Sequence, residues 1–245
     1  MQKILGALRR AVDDYGMINE SDRIGVGVSG GKDSMVMLAA LHGLSEFYPK
    51  KFSVVGINLD IGLPGFDISP AADYCALHGI EFVSVRTEIY RIVFDERRES
   101  NPCSLCARMR RGRLHSAAIE LGCNKLALGH HNDDVLETML LNLLFEGRIG
   151  CFSPVTYLSR KDITVIRPLI YLRERDIRGC IRRNSLPVCE GCCIADGHTQ
   201  RQSMKELLGR AEKEFPKIRQ RMFGALQRSG LDGWTPLRHG RDNTL

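Results

Sequence analysis

A strand-like run, Arg23-Ile24-Gly25-Val26-Gly27-Val28, passes through Ser29-Gly30-Gly31-Lys32-Asp33-Ser34 straight into the helix-like Met35-Val36-Met37-Leu38-Ala39-Ala40-Leu41. A glycine pair at such a junction lets the backbone turn tightly and brings several N–H groups close to a ligand. The helix N-terminus adds unpaired donors and about half a positive charge. Together these form an anion cradle best suited to phosphate, with Ser29 and Ser34 as hydroxyl donors and Lys32 as a mobile charge. The alternative is a plain strand-to-helix turn in which Asp33 and Ser34 act as caps. The whole hexapeptide in this context favours the phosphate reading.

Elements alternate along the rest of the chain. Strands are expected at 23–28, 52–59, 81–86, 124–128 and 163–167. Helices are expected at 3–15, 33–46, 68–78, 104–121, 132–145, 173–184, 200–212 and 215–228. This alternation predicts an α/β fold, a parallel sheet with helices on both faces, followed by a helical C-terminal extension. Two units are expected, 1–198 and a basic extension 199–245 whose last part, from about 230, has no periodicity and reads as loose. In such sheets ligands sit beyond the carboxyl ends of the strands. The hexapeptide, Leu59-Asp60 and Gly129-His130-His131-Asn132-Asp133-Asp134 all fall at such ends.

The chain has 245 residues and a net charge of +6. Its basic residues cluster at 108–113, at 173–183 and again from Arg201 to Arg228, which suits a polyanionic partner and also suits solvated helix faces. No apolar run reaches the ~18 residues of a membrane span, and the amphipathic Met1–Arg10 stretch is unlike a signal peptide. A cytoplasmic protein without membrane attachment is expected.

Nine cysteines in such a chain are core residues or ligands rather than a disulfide framework. Cys75, Cys123, Cys151 and Cys180 are isolated in apolar or amphipathic stretches and read as core. Cys103 and Cys106 form a Cys-x-x-Cys, and Cys189, Cys192 and Cys193 form a second cluster. Spacing alone slightly favours a zinc site of Cys103, Cys106, Cys189 and Cys192. Three thiolates on a four-iron cluster, which would leave one iron open to a non-protein ligand, are the other option. Asp133 and Asp134 read either as first-turn acids or as Mg²⁺ ligands, and the nearby phosphate loop favours the second.

Ser29–Ser34 resembles the PP-loop of the N-type ATP pyrophosphatases, which grips the β,γ-pyrophosphate of ATP while AMP is attached to a substrate oxygen. Asn101–Gly112, Leu126–Asp134, Ile166–Tyr171 and Gln200-Arg201-Gln202 resemble, in order, motifs of the tRNA 2-thiocytidine synthetase family. The likeness runs from about residue 20 to 227. It implies ATP contacts at Val28, Ser29, Gly30, Gly31, Lys32, Asp33, Ser34, Leu59, Asp60, Gly129, His130 and Asp134. It also implies a 4Fe-4S cluster on Cys103, Cys106 and a third cysteine, with Asp33 and Asp134 orienting Mg²⁺. Counting back from Gln200 selects Cys193 as that third ligand, and Cys-x-x-Cys pairing with Cys189 selects Cys192.

Arg110, one helical turn after Cys106, is placed to stabilise developing negative charge, or to contact phosphate or solvent. The activity implied is ATP-dependent sulfur insertion at C2 of a tRNA anticodon-loop cytidine, at position 32, by a cytoplasmic homodimer. A sulfur donor such as a cysteine desulfurase would supply the sulfur. The rivals are a lysidine synthetase, a sulfurtransferase acting on another nucleoside such as uridine, and a zinc-containing tRNA-binding protein with a vestigial ATP site.

Overall fold

Ile4, Leu8, Ala11 and Val12 recur at helical spacing, and all four are buried on one face of α1 (Gln2–Asp14). The alternation then proceeds as β1 (Asp22–Gly27), α2 (Lys32–Ser45), β2 (Phe52–Asp60), α3 (Ser69–Leu77) and β3 (Glu81–Arg86). A π-helical turn at Arg91–Glu96 leads towards α4 (Pro102–Glu120), β4 (Lys125–Ala127) and α5 (Asn132–Phe145). The chain continues through β5 (Val155–Leu158), β6 (Ile163–Ile166), α6 (Glu174–Asn184), α7 (Gln200–Glu214) and α8 (Ile218–Arg228). This computed structural model describes residues 1–97, 102–189 and 200–237.

One sheet has the strand order β3-β2-β1-β4-β6-β5. Every pairing is parallel except β5 with β6. β5 escapes the sequence reading because it is short, follows Pro154 and lies at the sheet edge with Tyr157 exposed. The strand order reverses direction at β1 and β4, where Val26 pairs with Ala127. That reversal opens a crevice at the strand ends, the usual ligand position in open α/β sheets.

Two apolar layers cover the sheet. Residues of α1, α2 and α6 pack with Val26, Val28 and Ile166 in one cluster. In a second, Ala117 and Ala118 of α4 pack on Val55, Ile57 and Leu126. The isolated cysteines Cys75, Cys123, Cys151 and Cys180 are all buried. α7 and α8 pack against α5.

The expectation of a loose end from about 230 is corrected over the described part. Trp234 is fully buried, lies edge-on to Tyr15 and Phe223, and donates its indole N–H to Phe152 O at 3.1 Å. Burial of one large aromatic outweighs the missing periodicity. Among the described residues no helix is long and apolar enough to cross a membrane.

Candidate active site

The hexapeptide closes β1 and opens α2, and its conformation depends on Gly30. That residue has φ +79°, and a Cβ there would stand 2.8 Å from Cys189 Cβ. Gly31 has φ −73°, an ordinary value for any residue. Ser29 N–H donates to Ser34 Oγ at 3.2 Å, and Ser34 Oγ donates to Gly31 O at 2.8 Å, so the two serines brace the loop from inside. The N–H groups of Gly30, Lys32 and Asp33 have no partner among the described residues. The loop therefore keeps donors for an anion at a helix N-terminus.

A cavity of about 460 Å³ lies at the β1/β4 reversal. Val28, Ser29, Asp33 and Ser34 line it from the loop, Leu59 from β2, and Gly129, His130 and Asp134 from the segment after β4. Gly30, Gly31, Lys32 and Asp60 stand outside this lining. Asp60 is engaged in a turn: its Oδ1 accepts Gly62 N–H at 2.9 Å and its carbonyl accepts Thr87 N–H at 2.8 Å. Lys32 Nζ lies between Asp33 Oδ2 at 2.9 Å and Glu174 Oε1 at 3.3 Å. Burial opposes the lysine's charge, but these two carboxylates outweigh it and raise its pKa.

The segment after β4 sends its side chains in two directions. His131 N–H donates to Asp134 Oδ2 at 2.9 Å, and the His131 ring lies 3.6 Å from Asp33 Oδ1 and 3.3 Å from Asp134 Oδ2. Asp33 and Asp134 thus flank one imidazole, and both line the cavity. Asp33 Oδ1 is buried without a hydrogen-bond partner, an acceptor that suits a cation. Asp133 turns the other way. It accepts Glu174 N–H at 2.7 Å and pairs with Arg219 Nη1 at 2.8 Å, and both partners of that ion pair are buried. Asp133 thereby ties α5 to α6 and α8, whereas Asp33 and Asp134 face the cavity.

His130 packs its ring against Phe152 at 4.8 Å between centroids. Burial, with Arg167 and Arg201 nearby, pulls its pKa down to about 3, so it lines the cavity as a neutral imidazole with an unpartnered Nδ1.

The third wall is α4. Ala107, Arg110, Arg111, Leu114 and His115 line the cavity. Cys103 and Cys106 occupy the first turn of the same helix. Cys103 is exposed, and Cys106 packs beside the cluster of Leu105, Val93 and Ile89. Steps of three and four residues bring Cys103, Cys106, Arg110 and Leu114 to one side of the helix. Arg111 falls inside the Asn101–Gly112 motif and a basic cluster without a role of its own in the sequence, and His115 carries no motif signal.

Cys189 is buried in the main core, its N–H donating to Gly30 O at 2.9 Å, and burial raises its thiol pKa. Cys192 and Cys193 lie outside the described residues.

Comparison with known proteins agrees with this arrangement. The chain matches the PP-loop domain family over residues 3–209. It is 44% identical over 230 residues to a tRNA-cytidine(32) 2-sulfurtransferase of Geobacter sulfurreducens, covering 92% of this chain and 89% of that protein. The namesake of Geobacter metallireducens is 43% identical over 228 residues, covering 92% of this chain and 89% of its own. Among solved structures, the U34-tRNA thiolase NcsA from Methanococcus maripaludis, with its 4Fe-4S cluster, superposes with a TM-score of 0.72. It is 25% identical, and the match covers 88% of this chain and 74% of that one. With its phosphate loop and strand reversal on one cavity, walled by the helix that carries Cys103 and Cys106, the chain belongs to the PP-loop family and, within it, to the tRNA-cytidine(32) 2-sulfurtransferases.

Proposed function

We propose that this chain is an ATP-dependent tRNA sulfurtransferase that replaces the C2 oxygen of cytidine 32 in the anticodon loop with sulfur. The observation that carries the reading is the convergence on one cavity of three groups: the Ser29–Ser34 loop, the Asp33/Asp134 pair and α4, whose first turn holds Cys103 and Cys106. The shared name of the Geobacter relatives supports the base and its position.

In this reading the loop holds the pyrophosphate of ATP, with Val28, Leu59, Gly129 and His130 around the remainder of the nucleotide. The C2 oxygen attacks the α-phosphate, pyrophosphate leaves, and the base is left as an adenylate. Sulfur then takes the place of oxygen at C2 as AMP departs. Asp33 and Asp134 would hold Mg²⁺, which neutralises the charge of the departing pyrophosphate. Cys103, Cys106 and Cys193 would hold a 4Fe-4S cluster, which supplies an open iron for a sulfur ligand. Arg110 and Arg111, on the α4 wall, offer positive charge to the anionic groups in the cavity. His130 stays neutral, packed on Phe152. The enzyme acts as a cytoplasmic homodimer and takes its sulfur from a donor such as a cysteine desulfurase.

Nucleoside mass spectrometry of tRNA from a strain lacking this chain tests the reading. The 2-thiocytidine signal is expected to disappear and to return with the wild-type gene. An unchanged signal would overturn the assignment. Anaerobic purification is expected to give about four iron per chain.

A further inference from the structure

A second cavity, of about 640 Å³, lies behind the first turn of α5, between α1, α6 and α8. Asn132 lines it, whereas Asp134, two residues on, lines the first. Five cations surround it, Arg10, Arg173, Arg175, Lys217 and Arg219, against three carboxylates, Asp14, Asp176 and Glu212. The carboxylates are already engaged. Glu212 takes Arg173 and Arg219 at 2.8 Å each, Asp176 takes Lys3 at 2.7 Å, and Asp14 accepts the Tyr171 hydroxyl at 2.6 Å. Arg10, Arg175 and Lys217 are exposed and have no ion-pair partner among the described residues. Arg173 Nε is buried without a hydrogen-bond partner.

α8 points the same way. Its first turn has no acidic residue and its N-cap, Lys217, makes no side-chain cap, while Arg219 and Arg221 follow. Glu212 and Asp133 balance Arg219, but the cations Lys217 and Arg221, with no ion-pair partner among the described residues, are unfavourable at the positive end of a helix unless a further anion sits there. An oxyanion would satisfy the helix end and the three unpaired cations together, and arginines suit phosphate geometry. Among the described residues the cavity offers no stacking platform for a base. The Tyr171 ring is covered by Arg10 at 4.4 Å, and Phe223 is buried edge-on to Tyr171. A site rich in cations and without a free aromatic face takes the backbone of RNA rather than its bases.

We infer that this cavity is a phosphate anchor for the tRNA backbone, on the other side of the first turn of α5 from the reaction cavity. The inference rests on the sulfurtransferase reading for its choice of RNA. It is tested on the full-length, anaerobically purified protein with a tRNA transcript, by measuring affinity from low to moderate salt. The double variant Arg175→Ala/Lys217→Ala removes two exposed side chains. It is expected to weaken tRNA binding at least tenfold and to lower the slope of log affinity against log salt by about 1 to 2. ATP affinity and thermal midpoint are expected to stay as in the wild type. Lys217→Glu alone is expected to weaken tRNA binding further than Lys217→Ala. Equal tRNA affinity and slope in wild type and double variant would overturn the anchor while leaving the enzyme reading intact. A wild type that binds no tRNA would overturn both. Inorganic pyrophosphate is the second probe. A pyrophosphate equivalent lost in the double variant, with tRNA affinity unchanged, would mark a small-anion site and overturn the assignment to RNA.

Discussion

Glu174 Oε1 lies 3.3 Å from Lys32 Nζ, so the first residue of α6 reaches the lysine of the phosphate loop. The same carboxylate takes Lys205 of α7 and Arg178, each at 2.7 Å. Burial works against its ionisation, but Lys205, Arg178 and Lys32 outweigh it and hold its pKa at about 2. Glu174 is therefore ionised throughout the working pH range and acts as a fixed point between the loop and α7. We expect Glu174→Gln to raise KM for ATP about fivefold, on the scale of ~1 kcal/mol for a partly exposed pair, with a smaller change in kcat. Glu174→Asp should recover part of the loss. A KM equal to that of the wild type would reduce Glu174 to a brace within α6.

The two loop glycines have different duties, and substitution separates them. Gly30→Ala forces a side chain into φ +79° and against Cys189 Cβ at 2.8 Å. The left-handed conformation alone costs about 1–2 kcal/mol. A lower thermal midpoint and weakened pyrophosphate binding are the expected outcome. Gly31→Ala meets only Ser29 Oγ, at 3.4 Å, in ordinary contact. It should leave stability within about 0.5 kcal/mol of the wild type, so that any loss of ATP affinity there reports on approach to the ligand alone. Differential scanning calorimetry and equilibrium nucleotide binding check both variants.

The cysteines divide in the same way. Cys103→Ala and Cys106→Ala are expected to lose iron while still binding ATP, because the phosphate loop does not depend on the first turn of α4. Cys189→Ser should retain iron but lose stability, since it places a hydroxyl in the core beside Gly30. Iron analysis and thermal midpoints on the same samples decide. Iron lost from Cys189→Ser at an unchanged midpoint would place Cys189 in the ligand set.

The site is legible where the chemistry is local. The strand, loop and helix around Ser29–Ser34 follow one another without interruption, and Cys103 and Cys106 mark a helical turn by spacing alone. What the sequence withholds depends on packing between distant segments. Glu174 stands far along the chain from Lys32, and no local pattern links them. Asp133 and Asp134 look equivalent as letters, but successive helical residues point about 100° apart, which sends one to Arg219 and the other to the cavity. Trp234 sits in an aperiodic segment, and only its partners Tyr15, Phe152 and Phe223 explain its burial.

Glu137 gives the protein a pH response. It is 5% exposed, and burial, with Asp134 and Asp133 nearby, pushes its pKa up from 4.5 to about 7 despite Arg201 at 3.5 Å. The folded protein therefore binds this proton more tightly than the unfolded chain does. Between about pH 4.5 and 7 the folded state holds the extra proton, so this residue's contribution to stability falls as pH rises through that window. Above about pH 7 it levels off. Glu137→Gln should flatten this part of the profile and raise the thermal midpoint most at pH 8, on a scale of about 2–4 °C per kcal/mol for a chain of this size. Parallel profiles for wild type and variant between pH 5 and 8 would show that Glu137 does not titrate in this range.

Adjacent substitutions at the start of α5 separate architecture from chemistry. Asp133 Oδ1 faces Arg219, whose side chain is 9% exposed, and Asp133 Oδ2 accepts the Glu174 N–H. Asp133→Asn leaves a buried guanidinium with only Glu212 to balance it. Breaking a buried pair from one side costs about 3 kcal/mol, so a markedly lower thermal midpoint is expected, with pyrophosphate release impaired only as far as the fold is lost. Asp134→Asn changes a cavity-lining carboxylate whose partner Arg201 is 44% exposed, and an exposed pair contributes little. Its thermal midpoint should stay near that of the wild type while ATP-dependent pyrophosphate release falls by about tenfold or more, on the scale of losing one charged group that stabilises the transition state. Measuring both properties in both variants settles the division. The reverse pattern, an unstable Asp134→Asn and a stable but inactive Asp133→Asn, would move the metal-facing role to Asp133.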